Sequence, residues 1–197
     1  NTSALRVQDI LVFDIVRSTQ WERPLYFAIT AGGDDSKIGL RDYLELEGLA
    51  YKLVPRKKQA YWAAVNEERT RAHLFNDVKQ PSKEQAYGCL WRGLQDSTIK
   101  FDENQRRMIS SYRQPFYTLA MYLSNVKNKP EEMSAVLDRM DEVIPRRLHP
   151  MDFRLKADMG VFYGMAGNKV RQKEFFRDLA DELGPTSDSG FSEQFSQ

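Results

Sequence analysis

Residues that could carry chemistry are sparse. The chain holds two histidines, His73 and His149, and one cysteine, Cys89. Neither histidine has Cys, Asp or Glu around it at a metal-ligand spacing, so both read as surface residues. A lone Cys beside Leu90 and Trp91 reads as a small apolar residue, and it excludes an internal disulfide or a CxxC redox pair. Gly32-Gly33 lies between an extended run and a helical pattern, where a phosphate loop would sit. The loop lacks G-x-G-x-x-G and the Walker spacing, and its Asp34 and Asp35 would repel phosphate, so it reads as a turn. The neighbouring carboxylates Glu45 and Glu47, or Asp102 and Glu103, suit helix surfaces and caps better than a general acid and base. The residues thus predict no catalytic group, no metal and no cofactor. Aromatic residues are plentiful, but they recur at helical spacing, the pattern of a core.

The elements that position these residues centre on Arg23 to Pro55. Two apolar runs, 25–30 and 50–54, are rich in aromatic and β-branched residues and bounded by Pro and Gly, as strands are. Both faces of the first run are apolar, which suits a strand covered on both sides. Between the runs, Leu40, Tyr43, Leu44 and Leu46 predict a short helix ended by Gly48. This strand–helix–strand fits a parallel crossover or an antiparallel pair. The polar loop at 30–36, with Thr30, Asp34, Asp35 and nearby Arg56, is where a pocket at the strand ends would lie.

Around that unit the periodicity is helical. Residues 4–19 predict an amphipathic helix carrying Leu5, Ile10, Leu11, Phe13, Ile15 and Val16. Arg56-Lys57-Lys58 reads as a solvated linker. A helix follows over 65–78 with Asn66 as N-cap, and Pro81-Ser82 opens a short helix containing Tyr87, Leu90, Trp91 and Leu94. Asp102 and Gln105 form a capping box before a long helix with Met108, Tyr112, Phe116, Leu119, Leu123 and Val126 on one stripe, kinked at Pro115. Lys127-Asn128-Lys129 turns the chain into a helix opened by Pro130, with Met133, Val136, Leu137, Met140, Val143 and Ile144 inward and Pro145 as its stop. Pro150 opens a second hairpin, with Gly160 and Gly164 permitting close helix contact, a turn at Gly167-Asn168, and a last helix ended by Gly184-Pro185. Residues 186–197 read as a disordered tail.

The expected fold class is therefore α+β and mostly helical: a small strand–helix–strand unit packed with antiparallel helical hairpins. The divisions are an α/β unit over 1–58, connecting segments over 59–100, hairpins over 101–185 and the tail. Net charge is +1, with 29 basic and 28 acidic residues, so no global field favours nucleic acid. The longest apolar runs fall far short of the roughly 20 residues that cross a bilayer, so no membrane insertion is expected. The start at Asn1, with no Met and no signal-peptide pattern, fits a fragment of something longer.

Two resemblances add to this reading. The two hairpins, each closed by a proline, resemble tetratricopeptide-type repeats, and Met133, Leu137 and Met140 keep that repeat's second-helix spacing. The interval from Pro145 to Pro185 is 40 residues, against the usual length of about 34, and the Trp-Leu-Gly-Tyr signature of the first helix is absent. The wording Arg-Pro-Leu-Tyr-Phe-Ala-Ile-Thr at 23–30, followed by Ile-Gly-Leu-Arg-Asp-Tyr-Leu-Glu-Leu-Glu-Gly-Leu-Ala-Tyr-Lys-Leu-Val-Pro at 38–55, resembles the C-terminal soluble region of a family of large bacterial membrane proteins. That family was long described only as a domain of unknown function, and it is related to protein O-mannosyltransferase-like, polytopic (GT-C type) glycosyltransferases. The resemblance covers most of residues 5–184 and includes Phe-Asp-Glu-Asn-Gln-Arg-Arg-Met at 101–108.

What the resemblance implies is a non-catalytic tail on the extracytoplasmic (periplasmic) face, tethered to the inner membrane in the full-length parent. The lipid-sugar chemistry would belong to a membrane-embedded part that this chain does not contain. The tail's role would be to bind a protein partner or acceptor, or its own membrane-embedded portion. A groove beside the hairpins, around Tyr112, Tyr117, Phe153 and Tyr163, is the expected partner site. Arg23, Pro24, Tyr26, Phe27, Glu47, Gly48, Tyr51 and Pro55 are the motif residues, with a structural role. The competing expectation is a small ligand-binding or enzymatic α/β domain with its pocket near residues 30–36.

Overall fold

A computed structural model describes residues 6–31, 39–57, 64–78 and 87–184. The chain is mostly helical α+β and forms two compact units, 1–149 and 150–197.

In the first unit, Pro24 bars helix at Arg23 and the chain enters β1, Tyr26–Ala28. The helix expected over 40–47 is instead one 3-10 turn, Arg41–Tyr43, running into strand β2, Leu44–Glu47. Strand β3, Ala50–Leu53, returns antiparallel, and the sheet order is β1-β3-β2. The spacing of Leu40, Tyr43 and Leu44 imitated a helix, but Leu44 and Leu46 alternate with Glu45 and Glu47, the period of a strand. Gly48 has φ +66° and opens the two-residue hairpin loop between Glu47 and Ala50. Helix ends and hairpins both demand positive φ, so the glycine alone does not separate them.

The register places Tyr26, Lys52 and Glu45 in one row, Phe27, Tyr51 and Leu46 in the next, and Ala28, Ala50 and Glu47 in the third. Side chains alternate across a sheet. One face therefore carries Leu44, Leu46, Tyr51 and Leu53, all buried, and the other carries Tyr26, Ala28, Lys52 and Glu47. Tyr26 and Ala28 are exposed, so β1 is an open edge strand and not the doubly covered one its apolar residues suggested.

Helix α1, Val7–Thr19, precedes the sheet. Helix α2, Glu67–Phe75, follows it, with Asn66 Oδ1 accepting from the Arg69 N–H at 3.2 Å as the N-cap. Thr70 and Leu74 are its buried residues. The helix expected around Tyr87–Leu94 is absent over its described part: 87–101 is irregular, with Cys89 bridging Asp77.

The long helix expected from 102 to 126 is two. Helix α3, Glu103–Ser111, starts on the Asp102–Gln105 capping box, and α4, Gln114–Asn125, carries Pro115 in its first turn. Proline clashes with the carbonyl four residues back, here Ser111, and has no N–H to give, so a break replaces the kink. Met108 and Val126, expected on the inward stripe, are exposed.

Helix α5, Met133–Val143, buries Met133, Val136, Leu137, Met140 and Val143, and together with Ile144 these complete the stripe. Arg113, at the α3–α4 break, is 1% exposed and donates through Nη2 to the carbonyls of Ile144 and His149. His149 is buried, not on the surface, with its Nε2 2.7 Å from the Leu94 carbonyl and Phe101 edge-on to its ring. A carbonyl only accepts, so Nε2 bears the proton.

The second unit is a hairpin of α6, Phe153–Met165, and α7, Lys169–Leu183. Asp152 and not Pro150 caps α6, and Asn168 caps α7. Phe176 lies where a Cβ on Gly160 would meet it at 2.8 Å, the close approach its glycine permits. Tyr163 and Phe175 fill the seam, with the Arg171 guanidinium over both rings.

Candidate functional site

The sheet's polar face supports a side-chain cluster centred on Glu47. The hairpin turn directs this carboxylate toward α2, and it is only 6% exposed. A buried carboxylate is costly without partners, and Glu47 has four. Its Oε2 accepts from the Tyr26 hydroxyl at 2.9 Å and from Arg69 Nη1 at 3.0 Å. Its Oε1 accepts from Asn66 Nδ2 at 3.3 Å and faces Lys52 Nζ at 3.7 Å. A carboxylate offers about four acceptor positions; three are taken by these hydrogen bonds, and the Lys52 ammonium adds its charge at 3.7 Å. β1, β3, α2 and the α2 N-cap thus each send a side chain to the one anion that β2 carries.

Two bonds next to it complete the clasp. The Gly48 N–H donates to Thr70 Oγ1 at 3.2 Å, and the Thr70 hydroxyl donates to the Leu46 carbonyl at 3.0 Å. The hairpin lies so close to α2 that a Cβ on Gly48 would stand 2.6 Å from the His73 Cβ.

The electrostatics follow from this geometry. Burial alone would raise the Glu47 pKa, but the hydrogen bonds from Tyr26 and Arg69 and the charges of Lys52 and Arg69 outweigh it, so the carboxyl lies below its ordinary value. Burial and the Glu47 carboxylate push the Tyr26 phenol up. The hydrogen bond to Glu47 holds Arg69 firmly protonated. A carboxylate kept ionised and already accepting these hydrogen bonds is a poor proton donor and a poor base.

Beside the clasp is a cavity of about 300 Å³ lined by Tyr26, Glu47, Leu49, Ala50, Arg69, His73, Tyr87 and Cys89. His73 and Tyr87 meet edge to face at 5.3 Å. Burial pushes the Cys89 thiol up to about 11, so it is not an activated nucleophile. Among the described residues, no group of three or more His, Cys, Asp or Glu could hold a metal ion.

Of the motif residues, Tyr26 and Glu47 meet in this cluster and Gly48 forms its hairpin. Phe27 and Tyr51 pair on the sheet's other face. Arg23, Pro24 and Pro55 are exposed and do not line the cavity. The four aromatic residues expected to share a groove divide between the units. Tyr112 and Tyr117 are half-buried in the first; in the second, Phe153 is exposed and Tyr163 is fully buried. Thr30 and Arg56 are exposed and line neither this cavity nor the one of about 410 Å³ beside Asp77 and Arg139, while Asp34 and Asp35 lie outside the described residues. Lys52, Arg69, Thr70, His73 and Tyr87 carry no local signal in the sequence: Arg69 is 22 positions from Glu47, and no spacing announces the pair.

α1 is the other feature of note. Its one buried residue is Asp9, whose carboxylate accepts from the Arg6 N–H at 2.9 Å. Val12 and Val16 are half-buried, while Val7, Leu11 and Ile15 are 75%, 58% and 50% exposed, and Ile10 and Phe13 are exposed as well. At 100° per residue, Val7, Leu11 and Ile15 form one outward strip. No helix among the described residues is long and apolar enough to cross a membrane.

Residues 1–72 match the family model of TMEM260-associated domain 2. The matched stretch spans α1, the sheet and the first part of α2, and so includes Tyr26, Glu47, Lys52, Asn66, Arg69 and Thr70, ending one residue before His73. No curated protein and no solved structure matches the chain.

Proposed function

We propose that this chain is a non-catalytic binding domain of a membrane glycosyltransferase-like protein, held on the extracytoplasmic face, whose α1 docks on the parent's own membrane-embedded portion. The observation that carries the docking is the exposure of Val7, Leu11 and Ile15 on a helix whose inward side holds Asp9. A helix apolar on nearly every side is ordinarily covered. α1 lies inside the stretch that matches the TMEM260-associated domain 2 model. Asp14 and Arg17 interrupt the exposed apolar surface, which suits a protein surface with matching polar groups better than a lipid interface. The committed carboxylate at Glu47 supports the non-catalytic part of the reading, since the cluster works as a clasp.

The test is a photo-cross-linking residue at Leu11 in the full-length parent, with Thr98, exposed and remote in sequence, as control position. Cross-links from position 11 to the parent's membrane-embedded segments are expected. Cross-links from position 11 confined to other polypeptides, or equal in yield to those from position 98, would remove the docking. Sugar transfer from a lipid-linked donor by this chain alone would remove the non-catalytic role.

A further inference from the structure

We infer that the cavity on the polar face of the sheet is a recognition site for a carboxylate with a short aliphatic stem. This goes beyond the docking of α1 and does not rest on it, because it uses a different surface. Glu47 accepts hydrogen bonds from Tyr26, Arg69 and Asn66 and is paired at 3.7 Å with the Lys52 ammonium, so it is already committed within the protein. What remains for a ligand is therefore a set of donors. Arg69 commits Nη1 to Glu47, which leaves the Nε–Nη2 edge of its guanidinium, and its side chain is 40% exposed beside the cavity. That edge presents two parallel N–H groups, the geometry that a carboxylate accepts bidentately.

Two cations, Arg69 and Lys52, converge on the single Glu47 carboxylate, and Glu45, across from Lys52 in the register, offsets the Lys52 side. These four charges balance, and what the Arg69 side offers a carboxylate is its directed pair of N–H groups. Leu49 and Ala50 add apolar lining, and the lining residues Tyr26 and Tyr87 are both partly exposed. A volume of about 300 Å³ is at the small end for ligand pockets and suits a short stem of a few methylenes. Such a carboxylate can come from a free organic acid or from an acidic side chain of a partner polypeptide.

The experiment is an amide-resolved NMR titration of the whole chain with glutarate, with its uncharged isostere glutaramide, and with the blocked peptide N-acetyl-Gly-Glu-Gly-amide. Glutarate or the peptide is expected to shift the Leu49, Ala50, His73 and Tyr87 amides saturably in the millimolar range, and glutaramide at least tenfold more weakly. Tighter binding of the peptide assigns the site to an acidic side chain; tighter binding of glutarate assigns it to a free acid. Arg69→Lys keeps a cation on Glu47 but removes the fork, and should weaken binding about tenfold while the fold, checked by the same spectra, persists. Equal shifts from glutarate and glutaramide, no shifts from either carboxylate, or undiminished binding by folded Arg69→Lys would overturn the assignment.

Discussion

Replacing Glu47 by Gln changes one oxygen for an NH2 group and removes one charge, so it isolates the electrostatics of the clasp from its packing. With the amide oxygen turned toward Tyr26 and Arg69, the two bonds at 2.9 and 3.0 Å survive as neutral-acceptor bonds. Each loses about 1 kcal/mol, the difference between a charge-assisted bond and an ordinary one. The new NH2 then faces the Asn66 amide and the Lys52 ammonium, donor against donor, for roughly another 1 kcal/mol. Two effects reduce the total. Burial of an ionised group is relieved, and the Arg69 and Lys52 side chains are 40% and 29% exposed and can recover water. The net cost is about 2 kcal/mol, below the roughly 3–5 kcal/mol of breaking a fully buried pair.

The assay is urea unfolding followed by tryptophan fluorescence, since all three tryptophans, Trp21, Trp62 and Trp91, lie within residues 1–149. With a slope of about 2 kcal/mol per molar urea, the midpoint should fall by about 1 M. The pH dependence gives a second handle. The folded-state pKa of Glu47 is depressed below its ordinary 4.5, so its stabilisation is present above pH 4.5 and is lost as pH falls through the lower folded value. The gap between wild type and Glu47→Gln should therefore close in acid. A midpoint within 0.2 M of wild type at pH 7, or a gap that does not close in acid, would mean that the Glu47 charge does not hold the clasp together.

Gly48→Ala places a side chain on a φ of +66° and 2.6 Å from His73, so it should cost about 2 kcal/mol or more. His73→Gly in the same chain removes the Cβ, Cγ and Cδ2 atoms that stand 2.6, 2.7 and 2.9 Å away, and should return part of that loss in a double-mutant cycle. Arg113→Met leaves the Ile144 and His149 carbonyls without their buried donor, for an expected loss of about 3 kcal/mol by the same urea assay. Cys89, with its thiol raised from 9.0 to about 11, should react with iodoacetamide at pH 8 about a hundredfold more slowly than a free thiol, and denaturation should restore the rate.

The C-terminal half was the more legible in the sequence because its signals are local. Asp102 with Gln105, and the stripe from Met133 to Ile144, depend on spacings of three and four that one helix satisfies by itself. The stretch from Leu40 to Glu47 failed for a physical reason. Four apolar positions within seven residues satisfy both a helix and a strand, and the choice is made by Ala50–Leu53 pairing beside it. Pro115 was legible as an interruption, but whether a helix kinks or breaks depends on what fills the gap, and here it is buried Arg113. The clasp was half visible. Tyr26, Glu47 and Gly48 stood out by their wording, while Arg69 and Lys52 are ordinary surface-type residues until the hairpin brings them to one carboxylate. α1 was legible as a helix, and its exposed apolar side was not, since a pattern of Leu, Ile and Val predicts burial.

That exposed side is the surface proposed to dock. Its decisive measurement is intramolecular cross-linking from Leu11 in the full-length parent, read by mass spectrometry. If the proposed docking holds, α1 is linked to membrane-embedded segments of the parent, and the links diminish at least severalfold when Val7 and Ile15 are both replaced by Asp. Links from position 11 that avoid those segments, or that persist unchanged in the Val7→Asp/Ile15→Asp variant, would contradict it.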